Sequence, residues 1–162
     1  MPIFISELTI FAPISNWERC GFEVVDGVLE LSNANVLFID SKLEDSRITR
    51  SRVVERVSAV QVASTVRLDH LMVHTPRGYV STGPLLELGS DVRIESSESD
   101  VEEPSIWGVA FWVSDVSMFT EILDESKLGK AKPADQSNQM VSTFRSGAQL
   151  GIPCALMSPA LA

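Results

Sequence analysis

Apolar positions along the chain fall into short runs that alternate loosely with polar ones. Proline, glycine and Asp-Gly or Asn-rich pairs break these runs. Such a pattern predicts strands, with helices confined to a few stretches. Ile3–Ala12 is dense in branched and aromatic residues and predicts a strand buried on both faces. Pro13 ends it, because proline has no amide to give to a ladder. Ser15 or Asn16 then caps a helical turn with Trp17, Cys20 and Phe22 on one side, and Gly21 closes it. Phe22–Val25, Val28–Leu31 and Val36–Ile39 predict a meander with turns at Asp26-Gly27 and Asn33–Asn35.

Ile48, Val53, Val54, Val57 and Val60 sit at partial helical spacing and predict a connecting helix over Ile48–Ser64. The many β-branched residues there make a long strand the rival. Val66–Thr75 predicts a strand stopped by Pro76. Leu85–Leu88 and Val92–Ile94 predict a hairpin, and SSESDVEEP, residues 96–104, an acidic loop. Ile106–Val113 predicts a buried strand. A helix follows with its stripe at Val116, Phe119, Ile122 and Leu123, and then strands at Met140–Phe144 and Ile152–Met157.

Strand-helix-strands thus occurs at both ends of the chain. Two internal alignments add to it: Ile5–Pro13 beside Leu68–Pro76, and the Leu-Glu-Leu arms at Leu29–Leu31 and Leu86–Leu88. The expected fold is α+β, two mostly antiparallel, curved βαβββ-type modules. The expected division is a single compact domain with a first module over residues 1–45, a connector over 46–65 and a second, irregular module over 66–158.

Composition narrows the function classes. The 162 residues are 44% hydrophobic, enough for a core at this length. A formal net charge of −9 repels phosphate backbones and anionic membranes, so neither nucleic acid nor membrane is an expected partner. A small-molecule ligand, a protein partner or a second copy of the chain remains. The two cysteines, Cys20 and Cys154, lie among apolar residues and make no CxxC. With no apolar run of signal or spanning length, a cytoplasmic location is the expectation. There is no GxSxG, HExxH or phosphate-cradling glycine loop.

The stretch ELTIFAP…W…CGFEVVDGVLELSNANVLFI, with LDHLMVHTP and GVAFWVSDVSMFTEIL, resembles modules of the vicinal oxygen chelate superfamily. That group includes glyoxalase I, extradiol dioxygenases and antibiotic-resistance binding proteins. The resemblance implies paired modules around a cleft, which in enzyme members holds a divalent metal through His, Glu or Gln side chains. By position it puts Glu7 and His70 at first-strand ligand sites and Glu87 or Glu95 near a last-strand site. Glu7, His70 and Glu87 would make a nitrogen–oxygen site suited to Fe, Mn, Zn or Ni, with Glu87 as the catalytic carboxylate. The final third departs from the pattern, since it holds no histidine.

Plainer roles stand beside these. His70 and His74 face one side of a strand about 13 Å apart, too far to share a metal directly. Each also reads as a half-buried histidine with one hydrogen bond. Glu30 and Glu87 read equally as solvated positions. Trp17, Tyr79, Trp107, Trp112 and Phe144 would line an apolar pocket or pack the core. The functions that follow are, in order, non-catalytic binding of a small molecule or protein, a metal-dependent lyase, isomerase or dioxygenase, and an acidic inhibitor or immunity-type protein. The cofactor expectation is accordingly none or one divalent metal.

Overall fold

A computed structural model describes residues 2–57, 65–80, 83, 85–89, 91–134 and 138–160. Two mixed sheets carry the fold. In the first, β1 (Pro2–Ala12), β2 (Val28–Glu30), β3 (Ala34–Asp40) and β4 (Arg47–Val57) lie in the order β2-β3-β1-β4. The second holds β5 (Arg67–Pro76), β6 (Arg93–Ser99), β7 (Ser105–Trp112), β8 (Lys132–Pro133), β9 (Gln139–Thr143) and β10 (Cys154–Pro159), in the order β6-β5-β7-β10-β9-β8. Helix α1 (Ile14–Arg19) follows β1, and α2 (Ser117–Ile122) follows β7.

The two ends of the chain repeat one βαβββ plan. β1 pairs in parallel with β3, which pairs antiparallel with β2. Likewise β7 pairs in parallel with β10, which pairs antiparallel with β9. Each opening strand also has an antiparallel neighbour on its other side, β4 on β1 and β5 on β7. The duplicated opening strands are therefore β1 and β7. The alignment of Ile5–Pro13 with Leu68–Pro76 matches two strands of different topological role, because among the described residues no helix lies between β5 and β6.

Four other expectations are corrected. The connecting helix over Ile48–Ser64 is a strand through Val57, and the rest of that stretch lies outside the described residues. Its β-branched residues prevail over the incomplete helical stripe. Leu85–Leu88 forms no strand. It docks instead against the first sheet: the Gly89 amide donates to Ser6 Oγ at 2.7 Å, and Ser51 Oγ donates to the Glu87 carbonyl at 3.3 Å. The predicted strand at Val92–Ile94 runs on to Ser99, so half of the acidic loop is strand. Phe22–Val25 shrinks to a single bridge, Val25 to Val28.

One core serves both modules. Leu8, Ile10, Val36 and Phe38 from the first sheet pack with Leu71, Val109, Phe111 and Leu156 from the second. Trp17 sits fully buried at the centre, its ring centroid 5.0 Å from both Phe22 and Phe38 and 6.4 Å from Phe111. Its indole N–H donates to the Leu150 carbonyl at 3.0 Å. The helix that carries Trp17 starts at a proline with no capping side chain, and Asp40 at the end of β3 accepts from the Ile14 amide instead, at 3.0 Å. Six residues would not hold as an isolated helix, so tertiary contacts fix it.

A side-chain amide joins the β2–β3 turn to β5. Asn33 Nδ2 donates to the Leu68 carbonyl at 2.8 Å, and the Leu68 amide donates to Asn33 Oδ1 at 2.7 Å. Both atoms of the Asn33 amide are used, and both bonds are buried. Asn33→Ala is expected to lower unfolding stability by about 2–4 kcal/mol, since it strands a buried N–H and a buried C=O. Urea unfolding measures it, and a loss under about 0.5 kcal/mol would mean the clamp carries no stability.

Candidate functional site

The face of the second sheet turned away from the core holds a cavity of about 400 Å³. His70 and Met72 of β5, Arg93 and Glu95 of β6 and Lys132 of β8 line it, with Ala155 and Met157 of β10 opposite. The site follows from strand alternation: Leu71 and Val73 turn into the protein while His70 and Met72 turn out.

Asp69 breaks that alternation. Neighbours on a regular strand point to opposite faces, so the side chains of Asp69 and His70 should not meet. The pairing of β5 with β7 slips between Leu68 and His70, leaving Asp69 as an extra residue. Such a bulge re-aims a side chain. Here it brings Asp69 Oδ2 to 2.8 Å from His70 Nδ1. The carboxylate accepts, so Nδ1 carries the hydrogen, and the other ring nitrogen is left toward the cavity. There Nε2 lies 3.5 Å from Glu95 Oε2. Both His70 and Asp69 are buried, at 6% and 7% exposure.

Arg93 holds the carboxylate from the next strand, donating to the same Asp69 oxygen at 2.8 Å, and Arg67 stands 3.7 Å from the other oxygen. The hydrogen bond from His70, helped by Arg93 and opposed by burial, holds the Asp69 carboxyl below the usual 3.8. A depressed carboxylate contributes stability above its unfolded pKa, and the contribution fades as pH falls through the lower folded value. Asp69→Asn is therefore expected to unfold more readily than wild type at pH 7. The gap should close as pH drops below about 3.8. Thermal unfolding across pH measures it, and a gap that widened in acid would contradict the assignment.

The other sequence candidates lie apart from this site. Glu7 is on β1 of the first sheet, bound to Arg52 by an ion pair of 2.8 Å. Glu87 sits in the docked segment before β6, where its carbonyl accepts from Ser51. Glu95 is the acidic candidate that joins His70. Trp17 and Phe144 are core, Tyr79 is an exposed turn residue at 42%, and Trp112 lies under the Arg67 guanidinium. Trp107 stacks on His74 at 4.9 Å, again beside a slipped register, with β7 holding the extra residue. Burial raises the pKa of both cysteine thiols, so neither is a thiolate at neutral pH.

Catalytic metal centres take about three protein ligands. His70 Nε2 and Glu95 supply two here, and Asp69 is turned to Nδ1. Across from them stand Ala155 and Met157, with Gln139 the one uncharged side-chain oxygen donor in the lining. Among the described residues no group of three or more His, Cys, Asp or Glu side chains converges on one point. Glu7 and Glu87 lie away from His70, so the structure does not bring together the set Glu7, His70 and Glu87 that the sequence resemblance implies.

Neither a protein-family model nor a curated protein sequence matches the chain. Among solved structures it is similar to methylmalonyl-CoA epimerase from Mycobacterium tuberculosis, at 17% identity and a TM-score of 0.44, over 64% of this chain and 95% of that one. It is also similar to a mutant of 4-hydroxymandelate synthase from Streptomyces coelicolor, at 12% identity and a TM-score of 0.39, over 96% of this chain and 70% of that one. Likeness at this distance carries no residue role across.

Proposed function

We propose that the cavity of the second sheet binds a small carboxylate-bearing molecule and that His70 moves a proton on it. The observation that carries this reading is the bulge at Asp69, which sets the Asp69 carboxylate against His70 Nδ1 and leaves Nε2 facing a lined cavity. Lys132 supplies positive charge there, beside Arg93, which is shared with Asp69, and against Glu95 as the one lining carboxylate, in a chain whose net charge is −9. A lining with two cations to one carboxylate favours an anion more than the rest of so acidic a surface does.

The chemistry that suits these groups is proton abstraction beside a carbonyl, the first half of an isomerase or lyase reaction. The C–H proton passes to His70 Nε2, and the bonding pair moves onto the carbonyl oxygen to give an enolate. Lys132 and Arg93 lie where they offset the new charge. Asp69 steadies the imidazolium, and Glu95 takes the proton on.

The reading is tested with a panel of small 2-oxo and 3-oxo carboxylates in D2O. Proton NMR should show at least one member binding saturably and exchanging its C–H protons faster than buffer alone allows. Binding without exchange would reduce the site to a non-catalytic receptor. If no member bound or exchanged, the assignment would fail.

A further inference from the structure

A second cavity, larger at about 690 Å³, shares no lining residue with the first. It opens where the turn-rich stretch after α1 meets the start of α2. Phe22, Leu29 and Val113 form its floor, core side chains only 6%, 5% and 3% exposed. Val28, Val66 and Phe119 add to the walls. Glu23, Asp26 and Glu30 stand exposed at its rim, and no lysine, arginine or histidine lines it. None of the three carboxylates forms an ion pair among the described residues, although Glu30 lies within the field of Arg56.

We propose that this cavity binds a small organic cation with an apolar body, an aryl- or alkylammonium. The volume is that of a small-molecule site. An apolar body replaces water over Val25, Val28 and Phe119, the exposed and half-buried apolar side chains of the lining, which is favourable in proportion to the area covered. The ammonium stays at the rim, half in water, facing three carboxylates that no lining cation neutralises. An anion of the same shape meets those carboxylates as repulsion, on top of the net charge of −9. The two cavities therefore sort ligands by sign: the His70 cavity takes anions and this one takes cations. This site does not depend on the His70 chemistry, since neither cavity borrows a side chain from the other.

Benzyltrimethylammonium is the probe, with benzenesulfonate as its anionic counterpart, read by calorimetry and amide chemical-shift mapping. The cation should bind at one saturable site, with shifts at Gly21, Val28 and Val113, and the sulfonate should not. Combining Glu23→Gln, Asp26→Asn and Glu30→Gln should weaken the cation about tenfold. These positions are exposed, and asparagine tolerates the left-handed backbone at residue 26, where φ is 52°. Raising the salt concentration from 0.05 to 0.5 M should weaken binding in the same direction. Val28→Trp should abolish it by filling the cavity while leaving the carboxylates in place. His70→Ala should leave it unchanged. The proposal is overturned by absence of binding, by equal binding of the sulfonate, by indifference to the charge variants, or by shifts that map to the His70 cavity.

Discussion

Trp17→Ala is expected to cost about 4 kcal/mol of unfolding stability, a drop large enough to leave much of the protein unfolded at 37 °C. The indole is fully buried and touches both halves of the core. Phe22 and Phe38 come from the first module and Phe111 from the second. Truncation removes that area from the interior and leaves a cavity that its three aromatic neighbours cannot collapse to fill. It also strands the Leu150 carbonyl, which accepts the indole N–H from the far end of the chain. Phe144, 5.8 Å from Phe22, belongs to the same group of rings. Urea unfolding followed by far-UV circular dichroism would measure the change. A loss under about 1 kcal/mol would mean that the two modules do not depend on one core.

The largest functional effect is expected at His70. His70→Ala should lower the rate of C–H exchange on the best carboxylate by about 10²–10⁴-fold, the range for removing a positioned general base. Binding of the same carboxylate should change by only a few-fold, because Arg93 and Lys132 remain in the lining. The fold should survive, since Asp69 keeps Arg93 at 2.8 Å and Arg67 at 3.7 Å as partners. Rate and affinity measured together separate the roles. If both fell together by more than a hundredfold, His70 would be holding the ligand rather than moving its proton. If neither fell, the chemistry would belong elsewhere.

Much of the fold was legible because burial writes itself into the sequence at period two. Ile3–Ala12, Val66–Thr75 and Ile106–Val113 read as strands and lie as β1, β5 and β7. The Asp26-Gly27 turn holds Val25 against Val28 as expected, with both residues at positive φ. A helix after β7 was visible in the sequence and lies at Ser117–Ile122, short of the expected end near Leu128-Gly129 and with Ile122 of its predicted stripe 81% exposed. The segment Arg47–Val57 misled because arginines at residues 50, 52 and 56 alternate with valines in a way that suits a strand edge. The apolar subset alone fits a helix as well. Only the pairing of Glu7 with Arg52 and Ile5 with Val54 across β1 and β4 decides between them.

The site was less legible than the fold. His70 stood out as one of two histidines, and Glu95 was a named alternative at the last-strand position. Glu7 and Glu87 looked equivalent to it by spacing, but spacing along a chain does not report which sheet a strand joins. Asp69 carried no signal, because a residue next to a histidine on a strand ordinarily faces away from it. A one-residue bulge reverses that, and bulges depend on pairing with a strand some forty residues away. Arg93 and Lys132 are ordinary surface cations until β6 and β8 bring them to one cavity.

The nitrogen spectrum of the His70 imidazole tests the central claim most directly. Two-bond proton–nitrogen correlations should place the hydrogen on Nδ1 in wild type at neutral pH, where Asp69 accepts it. Asp69→Asn should mix or reverse the tautomers, and a bound small carboxylate should shift the Nε2 signal. An imidazole protonated at Nε2 in the wild type, unmoved by the Asp69 variant and by every carboxylate tried, would contradict the account.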